Sequence, residues 1–281
     1  LIKTIKYYYH NLMGAVFMAL QTTLKKLANK VTGRTGPRIL SVKTASYLTP
    51  NMIRITFAGP ELDGFPIGCE GGNCKLMLPN AGESKESFTQ RLNSGERPVR
   101  RTYTVRHYRD DVQELDIDFV AHGDNGPASS WAMKAKPGSF IGFAGPSGPK
   151  VTHFEADWYL VAADPSAIPV AAATLEAMPR DAKGIALFEV TSLKDKQAID
   201  APSGIEIHWI EHSKPHKNST EQEAFIRSLE WPDGRVQTCV AGESHVIRSL
   251  RGFLQNEKQV AKKDLYISGY WKIGLMEDEH Q

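Results

Sequence analysis

The chain has 281 residues, 41% hydrophobic and 23% charged, the profile of a globular protein with room for one large or two modest cores. Its formal net charge of +2 is too small to make nucleic acid the partner, although a local basic patch facing an anionic ligand is compatible with it. The three cysteines, Cys69, Cys74 and Cys239, are odd in number and widely spaced, so neither a disulfide framework nor a metal site is expected; they read as reduced thiols of a cytoplasmic protein.

Taken from the start, the chain has no acidic residue before Glu61, and its run Leu12 to Leu20 is apolar or small. Such a run is far short of the roughly 20 residues that a bilayer requires. Residues 1–36 therefore read as an N-terminal extension, helical or foreign to the natural chain, with Met18 as a candidate start and no stable membrane insertion. Period-two alternation over 39–47 and 52–57, broken by Thr49-Pro50-Asn51, predicts a hairpin. Further strands are predicted over 75–78, 101–107, 114–121 and 139–144, with 80–98 as a long polar surface loop. Six short strands with turn signals between them predict an antiparallel β-barrel over 37–149.

The pattern changes after Pro149. The continuous apolar strand Trp158 to Ala163 is followed by a helix over 167–178, strands over 185–190, 205–210 and 236–241, a helix over 244–255 and a last strand over 265–268. Strands alternating with helices predict a parallel α/β sandwich over 150–281. In such sheets ligands bind beyond the carboxyl ends of the strands. That position falls at Asp164, Ser166 and Ala167, where no Gly-x-Gly-x-x-Gly phosphate loop is present. Glu243 ends another strand, where it either borders the coenzyme or caps the following helix.

The chemistry is concentrated in Arg101-Thr102-Tyr103-Thr104-Val105-Arg106 and in His122 to Ser129. On one strand, alternation sends Arg101, Tyr103 and Val105 to one face and Thr102, Thr104 and Arg106 to the other. The second segment is a glycine turn in which Pro127 suits the first position of a helix, leaving N–H groups and the Ser129 hydroxyl for a phosphate. An aromatic wall, a cation and free N–H groups are what a flavin nucleotide needs. His122 has nothing beside it to orient it as a base, and Trp131 reads as packing in the core or at the adenine end.

These segments resemble the siderophore-interacting protein family, FAD-containing ferric-siderophore reductases distantly related to ferredoxin–NADP reductases. The resemblance continues in Trp158 to Asp164, Ser166-Ala167-Ile168-Pro169, Ala241-Gly242-Glu243 and Gly269-Tyr270-Trp271-Lys272, and so spans about residues 37–281. Pro165 and Ser166 stand where the family has an acidic residue and Thr, and Lys272 where it commonly has Arg. The resemblance implies FAD at Arg101, Thr102, Tyr103, Thr104, Val105, Asp118, Phe119, Val120, His122, Gly126, Ala128, Ser129 and Trp131. It implies NADH or NADPH at Asp164, Ser166, Ala167, Glu243, Tyr270 and Trp271, where the last two cover a ring or latch the C-terminus. A ferric siderophore would meet Lys75 and Lys272. No acid–base residue and no protein-held metal is expected. The implied protein is a cytoplasmic monomer, with ferredoxin as an alternative donor. A general flavin reductase acting on quinones or other acceptors, or a siderophore-binding module, are the competing readings.

Overall fold

Alternating apolar residues in the first half and continuous apolar runs in the second build two different sheets in the computed structural model, which describes residues 37–123 and 126–275. The expectations for residues 1–36 and for Asp124 and Asn125 lie outside the described residues. Of the first sheet's strands, β1 (Arg38–Thr49) and β2 (Met52–Ala58) form the predicted hairpin, Thr49 pairing with Met52. Then come β3 (Asn73–Met77), helix α1 (Lys85–Asn93), β4 (Arg100–Thr104), β5 (His107–Arg109) and β6 (Glu114–Val120). Helix α2 (Pro127–Lys134) leads to β7 (Phe140–Ala144), and all pairings are antiparallel in the order β4-β3-β7-β1-β2-β6-β5.

Two predictions are corrected here. The described residues give seven antiparallel strands rather than six, because the expected strand over 101–107 breaks after Thr104. Arg100–Thr104 pairs with β3, whereas His107–Arg109 pairs with β6, and one straight strand cannot follow both partners. Val105 and Arg106 make the turn between them: the Val105 N–H donates to the Gly72 carbonyl and the Arg106 N–H to the Asp116 carbonyl, both at 2.9 Å. Gly72 fits here because a Cβ would stand 2.1 Å from the Ser147 carbonyl oxygen. The second correction is α1, inside what reads as a loop. Ser84 caps it, accepting the Ser87 N–H at 3.1 Å, and its Phe88 is buried against Phe140.

The second sheet is parallel throughout: β8 (Trp158–Ala163), β9 (Lys183–Val190), β10 (Gly204–Glu211), β11 (Val236–Glu243) and β12 (Leu265–Trp271), ordered β10-β9-β8-β11-β12. Helix α3 (Ile168–Ala177) follows β8, α4 (Glu221–Ser228) precedes β11, and α5 (Ser244–Gly252) follows it and widens into a π turn over Phe253–Glu257. Alternation along β8 divides the core: Tyr159, Val161 and Ala163 pack on the α3 side, while Leu160 and Ala162 meet α4 and α5 on the other. That two-sided burial is why these strands read as unbroken apolar runs. No helix among the described residues is long and apolar enough to cross a membrane.

The two sheets are tied together by specific contacts. Asn51, in the β1–β2 turn, donates its backbone N–H and its Nδ2 to the two carboxylate oxygens of Asp195, at 2.9 and 2.8 Å. Arg106 forks onto Glu176 of α3 at 2.7 and 2.5 Å. His107 sits between Asp116 and Glu176, 3.4 and 3.5 Å from their carboxylate oxygens. Met52 of the first sheet belongs to the core of the second.

Candidate functional site

On β4 the alternation holds as far as the strand lasts. Arg101 and Tyr103 pair with Leu76 and Cys74, so they share the inner face, whereas Thr102 pairs with Lys75 on the outer one. The half-buried Tyr103 ring lies 4.4 Å from Phe119, which in turn lies 5.8 Å from Trp131. Trp131 also stacks against Phe57, so this part of α2 is core packing. Arg101 is buried, with a guanidinium nitrogen on the Arg100 carbonyl at 2.7 Å.

The helix-start expectation is met in part. Gly126 precedes α2, with Pro127 in its first turn, and the first turn has no acidic residue. Gly126 leaves room for an aromatic neighbour, since a Cβ there would come within 2.6 Å of the His122 ring. The Ser129 hydroxyl does not face outward: it is buried and accepts the His122 N–H at 3.2 Å. What the turn offers an anion is therefore its backbone N–H groups. An aromatic wall, a buried guanidinium and a helix start without acids suit a flavin dinucleotide, so the residues fit the cofactor that they imply.

Other expected cofactor residues are placed differently. Val105 and Phe119 are buried in the first core, and Val120 packs on the second. Asp118 is buried and receives Arg54 through two bonds of 2.7 and 2.8 Å, which occupies its carboxylate. Among the charged neighbours, Asp116 is held far below the usual carboxylate range against its burial by Arg109, His107 and Thr56.

At the carboxyl ends of the parallel strands, one pocket is lined by Asp164, Glu189, His212, Ser219, Gln222 and Glu243, among others. Asp164 accepts the Ser166 N–H and hydroxyl on one oxygen, at 2.9 and 2.6 Å, and the Trp271 indole N–H on the other at 2.6 Å. Burial nonetheless pushes its pKa up. Glu243 caps α5: one oxygen accepts the His245 and Val246 N–H groups at 2.6 and 3.2 Å, and the other accepts the Ile273 N–H at 3.2 Å. The capping role weighed from sequence is the one observed, and Glu243 also lines the pocket. Ala167 is the N-cap of α3 and fully buried.

The last strand joins the two regions. Tyr270 lies beside the Thr104 side chain at the end of β4, and its hydroxyl lies 3.0 Å from that of Tyr266. Burial pushes both phenols up, Tyr266 to about 12, so both are neutral at physiological pH. Lys75 bonds the Thr102 hydroxyl, while Lys272 is exposed just beyond Trp271.

Sequence reading missed Glu189, Ser219 and Gln222 in the pocket and the Arg106–Glu176 pair. A lone carboxylate inside the apolar run Ala186-Leu187-Phe188-Glu189-Val190 was the available signal for the first. No signal along the chain pairs Arg106 with a residue seventy positions away.

Residues 41–150 match the siderophore-interacting FAD-binding domain family, and residues 156–274 match the siderophore-interacting protein family. The ferric vibriobactin reductase ViuB of Vibrio cholerae is 36% identical over 256 residues, covering 88% of this chain and 93% of that protein. This chain belongs to the siderophore-interacting protein family. The crystal structure of the siderophore-interacting protein SipS from Aeromonas hydrophila is 32% identical, with a TM-score of 0.75 over 87% of this chain and 95% of that one. A ferredoxin–NADP+ reductase from Plasmodium falciparum, 14% identical, superposes with a TM-score of 0.60 over 83% of this chain and 96% of that one. The fold, an antiparallel sheet followed by a parallel one, is thus that of the ferredoxin–NADP reductases.

Proposed function

We propose that this protein is an FAD-dependent ferric-siderophore reductase that draws electrons from NADH or NADPH and frees iron by reducing it. Residues 37–149 would be the flavin domain, its antiparallel sheet closed into a barrel through the Val105–Arg106 turn, and residues 150–281 the coenzyme domain. The observation that carries the reading is the position of the Tyr270 side chain beside Thr104, which sets the end of the aromatic and arginine-bearing strand against the end of β12. A site for a flavin and the carboxyl ends of a parallel sheet, where nicotinamide coenzymes bind, therefore open towards each other.

When bound, FAD supplies the exchange of a two-electron donor for one-electron acceptors. The chain's own groups bind and orient. Tyr103 offers a ring face, Arg101 and the N–H groups starting α2 meet the diphosphate, and Thr104 offers a hydroxyl to the edge of the ring system. Asp164, Ser166, Glu243 and Trp271 shape the coenzyme pocket. Lys75 and Lys272 present positive charge to an anionic ferric complex, which raises its local concentration. No step requires a side chain to move a proton, so no catalytic base is assigned. The buried, free thiols accord with a reducing cytoplasm, and the protein is read as a monomer.

The test is donor-by-acceptor kinetics on FAD-loaded protein. Ferric siderophores should be reduced faster than a simple quinone, and NADH or NADPH should outpace reduced ferredoxin. Equal or faster turnover of the quinone would instead make it a general flavin reductase, and protein that takes up no FAD would remove the reductase reading.

A further inference from the structure

The pocket at the carboxyl ends of the parallel strands contains more polar chemistry than the fold requires. Glu189, near the end of β9, is 8% exposed, and Gln222, in the first turn of α4, is 3% exposed. The Gln222 Nε2 donor has no hydrogen-bond partner among the described residues, although it is fully shielded from solvent. A buried, unpaired N–H donor costs on the order of 1–3 kcal/mol, a penalty that a ligand acceptor would relieve. Glu189 accepts the Ser219 hydroxyl on one carboxylate oxygen, and its other oxygen has no hydrogen-bond partner among the described residues. Both residues line the same pocket.

We propose that Glu189 and Gln222 read the ribose diol of the nicotinamide coenzyme's adenosine half, so that this chain prefers NADH to NADPH. The inference rests on the reading of this pocket as the coenzyme site. A carboxylate oxygen accepts from vicinal hydroxyls, and the amide donates to a hydroxyl or ring oxygen beside it. A 2′-phosphate in the same place would be a dianion against a carboxylate. Its surroundings reinforce this: Asp164 and Glu243 line the same pocket, and Glu221 bonds Ser219 at 2.9 Å. Burial pushes the Glu189 pKa up, with smaller contributions from Asp164 and Glu221 in the same direction and from Ser219 and His212 in the other.

The facing positive groups His212 and Lys217 line the same pocket from the loop side. His212 has one ring nitrogen 2.9 Å from the Lys217 carbonyl oxygen and the other 3.8 Å from a Glu221 oxygen. Lys214, His216 and Lys217 are exposed on the loop after β10. Exposed cations at a rim suit the diphosphate bridge common to both coenzymes, whereas the buried floor meets the group that differs between them.

The experiment is calorimetric titration of the FAD-loaded protein with ADP-ribose and with 2′-phospho-ADP-ribose, which need no turnover. ADP-ribose should bind at least about tenfold tighter, and Glu189→Gln should erase most of that preference while keeping a partner for Ser219. Gln222→Leu, which removes the unpaired donor without adding charge, should weaken ADP-ribose about tenfold and leave the melting temperature unchanged or higher. Equal or tighter binding of the 2′-phospho compound by the unmodified protein would overturn the inference, as would a Glu189→Gln protein with its preference intact. If neither compound binds, and neither coenzyme reduces the flavin, the coenzyme reading of the pocket itself fails.

Discussion

Replacing Glu176 by Gln would test what holds the two sheets together. Its carboxylate receives both arms of Arg106, whose side chain is only 6% exposed. Despite partial burial, hydrogen bonds from His107 and Arg106 hold its pKa at about 2 against an ordinary 4.5. At about 1.4 kcal/mol for each tenfold change in proton affinity, that difference of about 2.5 is worth roughly 3 kcal/mol. Since the side chain is 26% exposed, screening reduces the figure to roughly 2 kcal/mol. For a lowered carboxylate pKa, the contribution is complete above pH 4.5 and is lost as the pH falls towards 2. At neutral pH the Glu176→Gln protein should therefore melt about 4–8 °C below the unmodified one, taking about 2–4 °C per kcal/mol for a chain of this size. The gap should shrink steadily between pH 4.5 and the lowest pH at which both remain folded. Equal melting temperatures at pH 7, or a gap that does not change with acidity, would refute the role given to this ion pair.

Other outcomes follow from single contacts. Gly72→Ala should cost about 3 kcal/mol, the upper part of the overpacking range, because its Cβ would meet the Ser147 and Cys69 carbonyl oxygens at 2.1 and 2.8 Å; the denaturant midpoint reads this. Glu243→Ala removes the cap of α5 and should lower stability by about 1–2 kcal/mol in the same measurement. Arg101→Ala should weaken FAD binding roughly 10- to 100-fold, and Arg101→Lys should restore only part of it, as measured by recovery of flavin fluorescence. His107 has its pKa raised above 6.5 by Asp116 and Glu176, so its stabilisation is complete below pH 6.5 and lost as the pH rises through the raised value. A His107→Gln protein should lack that alkaline decline in melting temperature.

The second half of the chain was largely legible in its sequence because its strands are buried on both faces, as in Trp158 to Ala163, and read as unbroken apolar runs. Helix α1 was hidden because most of it is polar, and only Phe88 is buried among its residues. The break at Val105 was hidden for another reason. Arg101 to His107 has the residue preferences of one strand, and the division is imposed by two partners, β3 and β6, that lie far apart in sequence. Helix α4 was missed too, and with it Gln222, whose importance comes from being buried without a partner. That Arg101 and Tyr103 share a face is legible because alternate residues along a strand point the same way; the Asp118–Arg54 pair is not, because cross-strand partners are set by register.

The segment after β12 is fastened on both sides of one residue. The Trp271 indole is held by Asp164 and its carbonyl by the Ser244 hydroxyl, and the Ile273 N–H is held by Glu243. Lys272 thus hangs from a backbone clamped before and after it, with its side chain in water. Reversing its charge with Glu should leave the clamp in place, so any change in the reduction rate of an anionic ferric complex, and in how that rate responds to salt, would report on charge alone.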